Sequence, residues 1–167
     1  MSLSIREVRP DDAESIVGIL NPIIEARVFT ALDTPFTVEA ERNYISNFPE
    51  RGVFLVAVRQ SDRKLVGFQS MEPFADYTHA FDHVGVLSTY VDLDCRRQGI
   101  AKRLFGATFQ AASQKGFEKI FTFVRADNQA ALRAYLQQGF SIVGTAQRQA
   151  KIDGRYVDEI IIERLLR

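Results

Sequence analysis

The stretch from Thr89 to Phe123 constrains the fold most. Thr89-Tyr90-Val91 reads as the end of a strand, and a short polar turn follows through Arg97. The next residues repeat apolar side chains at Ile100, Leu104, Ala107 and Ala111, which is a helical stripe. That helix stops near Lys115-Gly116, and Lys119 to Val124 is again a strand. A strand, a helix and a second strand in close succession predict a parallel pair joined by a crossover, placed in the middle of a sheet.

Elements on either side fill in the rest. Ile5 to Arg9 alternates as a first strand, ended by Pro10. Asp11 and Asp12 start a helix with Ala13, Ile16, Val17, Ile19 and Leu20 on its apolar face. Pro22 is expected to break it, with Ile23 to Phe29 forming a second short helical piece. Thr37 is placed to cap a further helix ending near Phe48-Pro49. The nearly continuous apolar run Val53 to Val58 predicts a strand buried on both faces, with Leu65 to Met71 returning beside it. A third strand is expected from about His83 to Asp92. Asp127 or Asn128 caps a helix ended by Gly139, and Asp153-Gly154 reads as the turn of a last hairpin. The order is β-α-α-β-β-β-α-β-α-β-β, an α/β (α+β) arrangement whose three consecutive strands predict an antiparallel half.

The same central stretch also constrains the chemistry. Helix starts leave backbone N–H groups without partners and carry the positive end of the helix dipole. Gly99 and Ala101 keep bulk away from this start, while Arg96, Arg97 and Lys102 add charge, so the turn is suited to hold a phosphate. The Rossmann pattern G-x-G-x-x-G and the P-loop pattern are both absent, because Gly99 stands alone.

Charge and composition exclude several classes. Twenty-one basic residues balance twenty-one acidic ones, which argues against a dedicated nucleic-acid binder. The lone Cys95 cannot form an internal disulfide, and no run has the length to span a membrane, so a cytoplasmic location is expected. Two histidines and one cysteine make no metal set.

Arg96-x-x-Gly99-x-Ala101, preceded by Tyr90-Val91-Asp92, resembles the acetyl-CoA signature of the GNAT superfamily of N-acetyltransferases. The segment from Asn128 through Ala131 and Tyr135 to Gly139-Phe140 is similar to a second motif of that family, and Asp153 to Glu159 to its last hairpin. The resemblance runs from Ile5 to Leu165, and Asn21-Pro22-Ile23-Ile24-Glu25 resembles the phosphinothricin and amino-acid N-acetyltransferase branch. It implies residues 1–167 as a single N-acyltransferase domain, with a mixed sheet of about seven strands, a splayed central parallel pair and helices on both faces. Acetyl-CoA is then the co-substrate, and a small-molecule primary amine of amino-acid type is the acceptor. By analogy with the family, a homodimer is expected. The alternatives are a non-catalytic acyl-CoA-binding sensor and acetylation of a protein N-terminus.

The resemblance also assigns residues. Thr89, Tyr90, Val91, Asp92 and Leu93 would line the thioester end, with an amide near Thr89 polarising the carbonyl. Arg96, Arg97, Gln98, Gly99, Ile100, Ala101 and Lys102 would hold the pyrophosphate, and Asn128 would touch the cofactor arm or cap its helix. Tyr135 matches the family's general acid. The base is where this chain departs from the pattern. The positions where some members carry a glutamate fall at Gly85 and Val86, neither of which takes a proton. His83 and Glu25 are the candidates, with Glu72, Asp82 or a water chain as substitutes. The acceptor pocket is expected from Glu25 to Phe29, Phe74 to Phe81, and Tyr156.

Overall fold

The computed structural model describes residues 1–166. Its elements are β1 (Leu3–Glu7), α1 (Ala13–Glu25), α2 (Val38–Ser46), β2 (Val53–Arg59), β3 (Lys64–Pro73), β4 (Val84–Val91), α3 (Ile100–Gln114), β5 (Lys119–Arg125), α4 (Gln129–Gln137), β6 (Ser141–Ile152) and β7 (Arg155–Leu165). The seven strands form one mixed sheet in the order β1-β2-β3-β4-β5-β7-β6, and β4–β5 is its parallel pair.

Alternation along the strands explains the two layers of core. In β2, Val53, Leu55 and Ala57 join a cluster with α3 and α4, while Phe54 and Val56 join one with α1 and α2. A strand covered by helices on both faces needs apolar residues at every position, which is why this run is continuous. On β4, Leu87 packs with the α3/α4 cluster and Tyr90 with the α1/α2 cluster.

The central pair separates early. β4 and β5 are in register only at Val84–Lys119, Gly85–Ile120 and Val86–Phe121. Immediately beyond, the Thr122 hydroxyl donates to the Leu87 carbonyl at 2.6 Å in a buried contact. A side chain thus takes the carbonyl where the strands part. Past that point β4 keeps β3 as its neighbour, with pairs running on to Gly67–Val91.

Two local expectations need correction. Pro22 does not break α1, which runs unbroken from Ala13 to Glu25 with the proline inside it. Ile16, Ile19 and Leu20 before the proline and Ile23 and Ile24 after it are all buried in one cluster, so packing on both sides holds the helix together across the lost hydrogen bond. The residue four before the proline ring is Gly18, where a Cβ would meet nothing within 4 Å. The helical piece expected over Ile23 to Phe29 is therefore the last turn of α1 followed by a loop.

Other local signals are realised as read. Thr37 Oγ1 accepts from Ala40 N at 3.0 Å and caps α2. Asp153 and Gly154 both take positive φ, 51° and 78°, in the two-residue turn between β6 and β7.

Replacing Thr122 by the isosteric valine leaves the Leu87 carbonyl without its donor. A stability loss of about 1–3 kcal/mol is expected, read as a lower denaturation midpoint at unchanged slope. An unchanged midpoint would show that this bond does not hold the strands at their parting.

Candidate functional site

A cavity of about 760 Å³ runs from the start of α3, through the gap between β4 and β5, to the underside of the segment Phe29–Leu32. Of the cofactor residues expected from sequence, Thr89, Tyr90, Val91, Arg96, Arg97, Gly99, Ile100, Ala101, Lys102, Asn128 and Tyr135 line it. Asp92, Leu93 and Gln98 lie outside its wall. Asp92 is engaged elsewhere, accepting from Asp94 N at 2.9 Å and pairing with Lys64 at 3.1 Å.

The start of α3 has the form an anion needs. Arg97 and Gly99 both adopt positive φ, 60° and 79°. Left-handed residues in a turn curve successive amides into a concavity. The first helical bond runs from Arg103 N to Gly99 O at 3.2 Å, so the amides of Ile100, Ala101 and Lys102 precede the helical ladder. A Cβ on Gly99 would meet nothing within 4 Å, which places open space where a phosphate would sit. Acetyl-CoA fits this cradle: Arg97 and Lys102 supply charge and the amides supply donors. Arg96 does something else as well. Its guanidinium lies 4.2 Å over the Phe29 ring, and burial holds its pKa below the usual value.

Tyr135 stands at the gap. It is buried on α4, packed edge-on against Phe105 and Phe140, each 5.2 Å away between ring centres. Its hydroxyl lies 2.9 Å from Thr89 Oγ1. The same Thr89 oxygen accepts from Gln69 Nε2 at 2.9 Å. Gln69 is fully buried on β3, directly across from Thr89 in the β3–β4 register. Three side chains from three elements thus form one line. Burial pushes the Tyr135 phenol well above its ordinary pKa, and the Thr89 hydrogen bond pulls it back. Gln69 was invisible as a site residue; its only signal was one amide in the mostly apolar strand Leu65 to Met71.

The segment Phe29–Leu32 over the far end of the cavity is tied down by its own backbone. Arg125, 6% exposed, donates from Nη1 to Arg27 O at 3.0 Å and Thr30 O at 3.1 Å. Asn128 donates from Nδ2 to Phe29 O at 3.1 Å while its Oδ1 accepts from Ala131 N and caps α4. Both ends of Asn128 are therefore engaged by the protein itself.

The expected bases are not brought to the gap. His83 is exposed just before β4, at the closed end of the parallel pair, where its carbonyl accepts from Glu118 N and Lys119 N. Thr89 lies six residues along the strand, roughly 20 Å away. Glu25 is the exposed last residue of α1, outside the wall. Glu72 accepts from the Tyr44 hydroxyl at 2.9 Å, and Asp82 lies 2.9 Å from His79 Nδ1; neither lines the cavity. Gly85 is pressed against Met71, where a Cβ would come within 2.6 Å of Sδ, and Val86 lines the wall as a hydrocarbon. Of the expected acceptor-pocket residues only Phe29 lines it; Tyr156 is 57% exposed on the last hairpin. The wall instead holds Thr30 to Leu32, Phe123, Arg125 and Glu159. No group of three or more metal-ligating side chains occurs among the described residues. No helix among them is long and apolar enough to cross a membrane.

A seven-stranded mixed sheet with a parted central parallel pair, and an anion cradle at the helix beside it, is the architecture of an acyl-CoA transferase. Residues 23–140 match the Acetyltransferase (GNAT) family, and the chain belongs to that family. It is an acetyl-CoA-dependent N-acetyltransferase. The chain is 25% identical over 165 residues to the phosphinothricin N-acetyltransferase of Streptomyces coelicolor, covering 96% of each protein. It is 26% identical over 162 residues to the L-amino acid N-acyltransferase MnaT of Escherichia coli, covering 93% of this chain and 90% of that one. Its fold matches the crystal structure of a phosphinothricin acetyltransferase from Sinorhizobium meliloti in complex with acetyl-CoA, with a TM-score of 0.89 at 19% identity, over 99% of this chain and 89% of that one.

Gly99→Val is expected to weaken acetyl-CoA binding by at least about tenfold, because it fills the cradle and strains a left-handed residue. Isothermal titration with acetyl-CoA checks this, and an unchanged Kd would remove the cradle as the phosphate site.

Proposed function

We propose that the protein transfers the acetyl group of acetyl-CoA to the primary amine of a small amino acid or amino-acid-like molecule. The observation that carries this reading is the continuity of one cavity from the anion cradle, past Tyr135, to a chamber beneath Phe29–Leu32. The chamber combines hydrocarbon, at Val86, Leu32 and Phe123, with the charged groups Arg125 and Glu159. Such a lining suits a small zwitterion that carries some apolar surface. The names of the Streptomyces coelicolor and Escherichia coli relatives support the same substrate class. In this reading residues 1–167 act as one N-acyltransferase domain.

Acetyl-CoA supplies the acetyl group already activated as a thioester. Arg97, Lys102 and the first amides of α3 hold its pyrophosphate, and the unpaired edge of β4 beyond Leu87 receives its arm. Tyr135 holds a proton at its hydroxyl for the departing sulfur. Gln69 fills one acceptor site of Thr89 Oγ1 with its amide, and in this reading the Thr89 O–H donates to the Tyr135 oxygen. That contact favours the phenolate left behind when Tyr135 gives up its proton, offsetting part of the cost of burial. Gln69 is in this sense a positioning residue for Tyr135.

The reading is tested by thiol release from acetyl-CoA with phosphinothricin and a panel of L-amino acids. Amine-dependent release from at least one is expected. Binding of acetyl-CoA without any amine-dependent release would favour a sensor. Tyr135→Phe is expected to lower kcat by about 10²–10⁴-fold with little change in acetyl-CoA KM. Gln69→Leu is expected to lower kcat by about tenfold through the lost bond to Thr89, with rate partly restored in Gln69→Asn. A wild-type kcat in Gln69→Leu would sink the positioning role.

A further inference from the structure

Glu159 is the one carboxylate in the cavity wall among the described residues. It sits on β7, directly across from Arg125 of β5 on one side and Ala146 of β6 on the other. Strand alternation sends its neighbours Ile160 and Ile162 toward the α3/α4 core, so Glu159 faces the opposite side, beneath the Phe29–Leu32 segment.

The cross-strand arginine does not neutralise it through a direct contact. Arg125 Nε and Nη2 are bound to Asp127 at 2.9 and 2.8 Å, and Nη1 is bound to the carbonyls of Arg27 and Thr30. Glu159 is half-buried, and its carboxylate makes no hydrogen bond or ion pair with any described residue. A half-buried carboxylate held off its neighbouring cation is costly unless a ligand completes it. Burial pushes its carboxyl pKa up, and Arg125 pulls it partly back. From the other sides, β6 places Ala146 opposite and the covering segment lines the cavity with Phe29, Thr30, Ala31 and Leu32. The ionisable groups beside that segment are the Tyr90 phenol, pushed up by burial and hydrogen-bonded to Thr30 and Ser88, and the Arg96 guanidinium, stacked on Phe29.

Building on the proposed function, we infer that Glu159 receives the ammonium of the acceptor and takes one proton from it. It thereby stands in for the glutamate that β4 lacks at Gly85 and Val86. The carboxylate becomes a carboxylic acid and the ammonium a neutral amine. The amine nitrogen forms a bond to the thioester carbon, the carbon–sulfur bond breaks, and the second nitrogen proton replaces the one Tyr135 gives to the thiolate. Glu159 returns its proton to solvent. The products are an amide, free CoA thiol and one released proton, so atoms and charge balance. A carboxyl raised by burial is a better proton acceptor than an ordinary glutamate, and its negative charge selects a cationic nitrogen over a neutral one.

The test uses the full-length protein with acetyl-CoA and whichever of phosphinothricin and the L-amino acids wild type acetylates fastest. E159Q is expected to lower kcat/KM for the amine by at least about 100-fold at pH 7. The deficit should shrink as pH rises toward the amine's own pKa, because free amine then arrives without needing a base. E159D, which keeps a carboxylate at shorter reach, should fall between the two. Acetyl-CoA affinity should stay at the wild-type value in both variants. The inference is overturned if E159Q keeps wild-type kcat/KM at pH 7, if its loss is the same at every pH, or if acetyl-CoA affinity falls in step with turnover. A wild type that binds acetyl-CoA yet acetylates no amine overturns the functional reading on which the inference rests. Active wild type with an indifferent E159Q overturns the inference alone.

Discussion

The site depends on a sheet that stops pairing in its own middle. β4 and β5 hold together for three residue pairs, and then the Thr122 hydroxyl takes the Leu87 carbonyl. An unpaired strand edge in a protein interior is ordinarily a cost, since backbone donors and acceptors need partners. Here the edge opens onto a cavity, so a ligand with amides of its own has a ready counterpart. Tyr135 reaches the gap from α4, and Gln69 meets Thr89 from β3. The Tyr135–Thr89–Gln69 line is built at that one parting of strands.

The fold was largely legible because its signals are local. The element order, the Thr37 and Asn128 caps, and the Asp153-Gly154 turn each rest on a few neighbouring residues whose conformational preferences are strong. Pro22 shows where local reading ends. A proline lacks one hydrogen bond and crowds the preceding turn, but the buried residues Ile16, Ile19 and Leu20 before it and Ile23 and Ile24 after it outweigh that penalty.

The site was legible in halves. The cradle at Gly99 is a contiguous motif, so its residues could be picked out from sequence, with the Asn128–Phe140 segment as the second motif that gave them meaning. The far end of the cavity is assembled from β5, β7 and the loop after α1, and no stretch of sequence carries that assembly. Gln69 and Glu159 gain their significance from register: one faces Thr89 across β3–β4, the other faces Arg125 across β5–β7. His83 drew notice for its chemistry, but strand geometry puts it at the wrong end of β4. Residue type narrows the candidates, and only pairing shows which are neighbours.

The cover of the chamber beneath Phe29–Leu32 has one further consequence. Arg125 and Asn128 grip it through the carbonyls of Arg27, Phe29 and Thr30, never through their side chains. Main-chain carbonyls are the same whatever residue carries them. Of the covering side chains, Thr30 Oγ1 accepts from Leu32 N at 3.2 Å and Leu32 packs with the α1/α2 cluster, so Ala31 is the position where a substitution disturbs the roof least. A change there alters the surface of the chamber without loosening the grip of Arg125 and Asn128 on the backbone above it.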